Sequence, residues 1–339
     1  MSDSPNHQKN NEALFHYLER GSSSVMEKFF GVISPGFHDF VMAAVLYYKL
    51  QKQNSALKAA PETVIIEGYK GDNPTTLGMR NIISAIHHPA FIAALVHGSI
   101  ATDEIINYSD FDGILIIDPN KIDSRKSMLQ LIQIVEVSTG HMRHRDALQH
   151  HGWSVLNVHD LYDYPDAQLP ALLLKYSQCI YPTSGITLSY NIIPSHQNYQ
   201  IPLFNLVASL NRKCTTHRPS TFYAFKNLLS ELMLLPALYL QARDQQPVFK
   251  KESFHKAKGD FTTSEWKIIE EVSAMRLSWD QSEVKANKEK WAAHLSMIPG
   301  MRKLLQINVP ARYSTELTET FYSEIQQLTN AAEQKIKKS

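Results

Sequence analysis

Two short runs in the middle of this 339-residue chain bring together residue types suited to a phosphorylated ligand. The first is Leu95-Val96-His97-Gly98-Ser99. Ten residues later comes Asp110-Phe111-Asp112, which leads into the apolar run Gly113-Ile114-Leu115-Ile116-Ile117. A glycine at the end of a buried strand lets the backbone approach a ligand closely, and Ser99 adds a hydroxyl beside backbone N–H groups. Side chains alternate faces along a strand, so Asp110 and Asp112, at i and i+2, point to the same side. Two carboxylates held this way repel each other and are best stabilised by divalent cations; Mg²⁺ commonly bridges protein carboxylates and substrate phosphates. Paired ions roughly 3.5–4 Å apart could stabilise both the attacking and the leaving oxygen. The chemistry indicated is metal-assisted phosphoryl or nucleotidyl transfer.

Gly98-Ser99 followed by Ser109-Asp110-Phe111-Asp112 resembles the signature of the DNA polymerase beta-like nucleotidyltransferase superfamily, whose members include aminoglycoside and tRNA nucleotidyltransferases and oligonucleotide cyclases. The shared pattern is a strand, Gly-Ser, a helical turn and Asp-x-Asp on the next strand. It covers only residues 91–118. The resemblance implies that Gly98 and Ser99 hold the triphosphate and that Asp110 and Asp112 hold two Mg²⁺ ions. It further implies transfer of a nucleoside monophosphate from a triphosphate, ATP being the first expectation, to an acceptor hydroxyl with release of pyrophosphate.

The family also supplies a third acid from an adjacent strand, as a general base or metal ligand. The strand expected at 153–158 contains none. With a bend at Gly152, residues 144–150 would form a strand with His144, Asp146, Leu148 and His150 on one face. Asp146 is preferred to Asp160, whose setting in His159-Asp160-Leu161-Tyr162 looks like a helix cap. The third option is that neither serves, which leaves a nucleotidyltransferase-like protein that binds or senses a nucleotide without transferring it.

Gln149-His150-His151-Gly152 offers two further candidates. Adjacent histidines face opposite sides of a strand, so His150 or His151, but not both, could contact phosphate or acceptor or relay a proton near neutral pH. Bacterial nucleotidyltransferase-like proteins carry a similar Asp-x-Leu-Gln-His-His-Gly stretch, a resemblance that assigns no role. Further on, Phe249-Lys250-Lys251-Glu252-Ser253-Phe254 sets positive charge beside aromatics. Helical domains in the superfamily can lend a lysine to the triphosphate, which makes Lys250 and Lys251 candidates; solvated lysines are the plainer account.

The elements that must position these residues follow from apolar periodicity. Residues 1–12 are polar and read as disordered, and 13–54 as a helical extension. The expected α/β (α+β) nucleotidyltransferase core, with a small mixed sheet, spans 55–200. It contains a β-branched strand at 63–66, a helix over 76–87, strands at 91–96, 111–117 and 153–158, and helices over 124–137 and 166–180. After about residue 200 the strand signals stop and an all-helical domain, 201–339, is expected. It includes a long stripe over 222–239 kinked near Pro236, with more helix at 263–279, 285–296 and 314–337. The nucleotide is expected in the cleft between core and helical domain.

Composition narrows the classes. Lys+Arg number 34 against 33 Asp+Glu, which excludes a globally basic nucleic-acid coat and leaves local patches open. No zinc-finger spacing or basic-helix pattern argues for sequence-specific DNA binding. The two cysteines, Cys179 and Cys214, make no disulfide scaffold. The longest apolar stretch, Leu232 to Leu240, has nine residues and contains Pro236, well short of the ~20 that span a bilayer. A soluble cytoplasmic protein is expected. The acceptor, whether small molecule, RNA or protein, is not written in these residues.

Overall fold

The computed structural model describes residues 61–102, 104–146, 148–149, 152–280, 282 and 308–338. The tail and helical extension expected over 1–54, the helix expected at 285–296, and His150 and His151 lie outside the described residues.

The sheet-bearing half starts with β1 (Glu62–Ile66), which pairs antiparallel with β6 (Ile186–Tyr190) in a two-stranded sheet. The helix α1 (Pro74–Ile86) begins where Asn73 accepts the backbone N–H groups of Thr75 and Thr76 at 3.0 and 3.2 Å, with Pro74 in its first turn. The main sheet has four strands in the order β4-β3-β2-β5: β4 (Trp153–Asn157), β3 (Asp112–Ile117), β2 (Phe91–His97) and β5 (Gln178–Tyr181). The two central strands, β2 and β3, are apolar almost throughout because both their faces are covered. One face carries α1 and α2 (Arg125–Arg145), whose Met79, Ile83, Leu131, Ile134 and Val135 bury against it. The other face packs Leu156, Leu161, Tyr164, Leu174 and Leu188.

Register decides which ends meet. β2 and β3 are antiparallel with His97 opposite Asp112, so the end of one strand and the start of the other share an edge. β4 runs parallel to β3, with Trp153 opposite Gly113.

From residue 200 onward the described chain is helical apart from one isolated bridge between Thr221 and Asn308: α4 (Gln200–Thr215), α5 (Phe222–Leu232), α6 (Leu235–Asp244), α7 (Lys250–Lys258), α8 (Thr263–Leu277), α9 (Ala311–Ser314) and α10 (Glu319–Lys338). Their core includes Phe222, Phe225, Leu229, Trp279, Tyr313 and Ile325, and Phe222 stacks on Trp279 with ring centres 4.6 Å apart. The small mixed sheet followed by a helical region is therefore the arrangement the periodicity indicated. No helix among the described residues is long and apolar enough to cross a membrane.

Three local expectations are corrected. The helix expected over 166–180 is reduced to a single turn, α3 (Leu172–Lys175), because Gln178–Tyr181 peels away to pair with β2, Cys179 lying opposite Leu95. The strand expected over 144–150 does not form: α2 continues to Arg145 and Asp146 caps its C-terminal end. The slot beside β3 is taken by β4. The stripe over 222–239 is two helices rather than one kinked helix, with Pro236 in the first turn of α6, where a missing N–H costs nothing.

Candidate functional site

At the end of β2 the chain turns through a short 3₁₀ segment, Gly98–Ile100. Gly98 has φ +66°, and a Cβ there would stand 2.6 Å from Asp112 Oδ2. Conformation and space thus both select glycine. The Gly98 carbonyl accepts the N–H groups of Ala101 and Thr102, which draws the turn tight, and the Ser99 carbonyl accepts that of Glu104.

β3 begins at Asp112, so Asp110 sits two residues ahead of the strand. What holds it there is Gln149. Its buried amide accepts the Phe111 N–H and donates to the Phe111 carbonyl, both at 2.8 Å, and so stands in for a neighbouring strand at the one residue between the two acids.

Facing these acids is a lysine from the helical half. Lys226, on α5, is completely buried, and its ammonium donates to Asp110 Oδ1 at 2.6 Å and to Asp146 Oδ2 at 2.7 Å. The other Asp146 oxygen, Oδ1, accepts the Leu148 N–H at 2.8 Å. Behind the lysine, the Tyr108 hydroxyl donates to the Lys226 carbonyl at 2.6 Å and pairs with Ser230 Oγ at 2.7 Å. The Tyr108 ring lies 5.2 Å from the Lys226 ammonium and carries the Arg276 guanidinium over it at 4.5 Å.

Two carboxylates, Asp110 and Asp146, thus share one ammonium in hydrogen-bond contact, with Asp112 close enough to act on Asp110. Burial raises the Asp110 carboxyl, Asp112 and Asp146 add to the rise, and the opposing pull of Lys226 leaves it at about 6. Burial alone would push the Lys226 ammonium down, but Asp110 and Asp146 outweigh it and the net shift is upward, so the lysine stays charged. Lys250, half-buried at the start of α7, lies within electrostatic reach of Asp112, Asp110 and Arg276. Burial and the neighbouring Arg276 bring it down to about 8 against the attraction of the two acids.

The structure therefore gathers Gly98, Asp110, Asp112, Asp146 and Lys250 about one edge of the sheet, with Ser99 next in the turn. Asp146 arrives there from a helix end instead of a strand. Lys251 points elsewhere, paired with Glu104 on the exposed surface. Asp160 closes the turn after β4 by accepting the Asn157 N–H at 2.7 Å, a structural task like the cap its sequence setting suggested. The sequence reading passed over Lys226, Tyr108 and Arg276 and gave Gln149 no role. Lys226 left a signal: it falls at i+4 from Phe222 and i−3 from Leu229, a charge inside an apolar stripe.

A pocket of about 200 Å³ opens beside the cluster, lined among others by Asn73, Thr75, Asn107, Asp110, Asp146 and Asp280. Among the described residues no group of three or more His, Cys, Asp or Glu side chains is disposed to hold a metal ion. Asp110 and Asp112 are of the ligand type that a hard divalent cation takes, one or two protein carboxylates with phosphate and water completing the shell. Asp146, with both oxygens engaged, does not fit as a further ligand. No family model, curated protein or solved structure matches this chain.

Proposed function

We propose that this site binds a nucleoside triphosphate with a divalent cation and transfers its nucleotidyl group to an acceptor hydroxyl. The acceptor oxygen bonds to the α-phosphorus, the bond from that phosphorus to the β-phosphate bridging oxygen breaks, and pyrophosphate leaves. The observation that supports this reading is the pair of acids Asp110 and Asp112 set beside the close-approach turn at Gly98, with Lys250 within electrostatic reach of both. A bound divalent cation would supply charge neutralisation for the phosphates. Asp110 and Asp112 would hold that cation, the Gly98–Ser99 turn would receive the phosphate chain, and Lys250 would neutralise part of its charge. With both Asp146 oxygens engaged by Lys226 and Leu148, the proton of the acceptor hydroxyl would pass to solvent water.

The test is calorimetric titration of each of the four NTPs with Mg²⁺ into wild type and Asp110→Asn/Asp112→Asn. Expected is Mg²⁺-dependent binding that the double variant loses, followed by pyrophosphate release with a suitable acceptor. Folded wild-type protein that binds none of the four would overturn the proposal. The engagement of both Asp146 oxygens favours a second reading, a nucleotide-binding regulatory protein. Tight binding with no pyrophosphate release across an acceptor screen would select it.

A further inference from the structure

We infer that the pocket beside the acids seats the acceptor, and that it takes an uncharged polyol about the size of one sugar ring. The inference rests on the nucleotidyl-transfer reading and deepens it by naming the class of acceptor.

The pocket adjoins the reacting edge, for it is lined both by Ile100, next after Ser99 in the turn, and by Asp110. Its volume of about 200 Å³ matches roughly seven waters at ~30 Å³ each, room for one compact ring with its hydroxyls. Part of the lining comes from the start of α1. Thr75 lines the pocket while only 5% exposed, and its hydroxyl makes no hydrogen bond to a described residue; its backbone N–H alone is engaged, by Asn73 Oδ1. A hydroxyl so withdrawn from bulk water calls for a partner. A ligand hydroxyl can both donate to it and accept from it. The Asn73 carbonyl oxygen is spent on capping α1, which leaves the amide nitrogen of Asn73 as a donor to the same ligand.

Charge decides the class. Each of the three acids lining the pocket already holds a cation: Asp110 and Asp146 take the Lys226 ammonium, and Asp280 takes the Arg312 guanidinium at 2.9 Å. These acids would repel a phosphate or carboxylate on the acceptor, and an amine would have to compete with Lys226 and Arg312 for them. An uncharged hydroxyl compound meets neither cost. Ile105, Ile106 and Met142 offer apolar surface to the C–H faces of its ring. One of its hydroxyl oxygens bonds to the α-phosphorus, pyrophosphate leaves, and the hydroxyl proton passes to water.

The experiment is saturation-transfer NMR on the full chain without nucleotide. The probes are glycerol, ribitol, myo-inositol and glucose, with glucosamine and glycerol phosphate as charged comparators. Saturation transfer to at least one uncharged probe is expected, with tighter binding on titration than either comparator shows. Ile105→Trp, at a lining position that is 44% exposed, should fill the pocket and abolish the signal. Thr75→Val should weaken binding by about three- to tenfold, the worth of one hydrogen bond. It should leave urea stability unchanged, because the hydroxyl has no described partner to lose, whereas a structural role for Thr75 would lower it. The two variants are independent, so either one that folds decides. No transfer to any uncharged probe, tighter binding of a charged comparator, or a signal that survives Ile105→Trp would overturn the inference. Metal-dependent NTP binding, measured separately, would then leave the nucleotidyl-transfer reading standing. A polyol bound in the pocket with no pyrophosphate release from any NTP would overturn that reading, and with it the acceptor role.

Discussion

Lys226 Nζ and Asp146 Oδ2 lie 2.7 Å apart across 80 residues of sequence, and the same ammonium reaches Asp110 across 116. Removing one side of a buried charge set costs more than the set contributes when intact, because the remaining charges stay desolvated. Lys226→Met should therefore lower unfolding free energy in urea by about 3–5 kcal/mol. Adding Asp110→Asn and Asp146→Asn to it should recover much of that loss. A Lys226→Met protein as stable as wild type would show that the contact is not formed in solution.

Gln149 is predicted to matter for stability, because it holds the segment between the two acids. Gln149→Leu keeps similar bulk and strands the Phe111 N–H and carbonyl in a buried place. A loss of about 2–4 kcal/mol is expected, from two orphaned backbone groups. Mg²⁺-dependent nucleotide binding should weaken as well, since both flanking acids lose their anchor. Unchanged urea curves would contradict this.

Gly98→Ala places a methyl group in a left-handed backbone position and against Asp112 Oδ2. The backbone term alone is worth about 1–2 kcal/mol. Because the displaced atom is a proposed cation ligand, Mg²⁺-dependent NTP affinity should fall further than the stability loss explains. Paired calorimetry and urea titration on the same preparation measure both.

The Lys250 ammonium, lowered to about 8, gives a pH signature with two opposite signs. Its proton is held less tightly in the folded chain than in the unfolded one, so its contribution to stability grows as pH rises from about 8 toward the ordinary lysine value. Triphosphate affinity should do the reverse and fall as pH rises through about 8, with proton uptake on binding near that pH. Lys250→Arg stays charged and should flatten the affinity profile. A wild-type profile already flat between pH 7 and about 9.5 would remove Lys250 from the phosphate site.

Asp160 provides a pH effect remote from ligands. Burial raises its carboxyl to about 6, above the ordinary 3.8. The folded chain then binds the proton more tightly than the unfolded chain, so this group lowers stability as pH rises from about 3.8 to about 6 and adds nothing beyond. The span is on the order of 3 kcal/mol. Asp160→Asn should abolish that segment of the stability–pH curve, measurable by urea unfolding at half-unit steps.

The local pattern in the sequence was enough to find β2, the Gly98 turn, β3 and their acids, because strand alternation and a glycine turn are set within a few residues. It was also enough for α1 and for most of the helical half, where apolar stripes repeat over several turns. It failed where the decisive partner is distant. Gln178–Tyr181 reads as the end of a helix until β2 offers it an edge. Asp146 was chosen for a strand that does not exist, yet reaches the site because α2 ends there. Lys226 went unnoticed within an apolar stripe, since only the folded chain shows two carboxylates opposite it.

That separation along the chain has a bearing on biosynthesis. Growing from its amino end, the polypeptide makes Asp110 and Asp146 long before residue 226 has left the ribosome. Until α5 emerges, the two acids have no ammonium to meet and must stay hydrated or borrow a cation from solution, because a bare buried carboxylate is too costly to form. The edge of the sheet that carries the site therefore cannot take its lysine-paired, buried form until α5 has emerged.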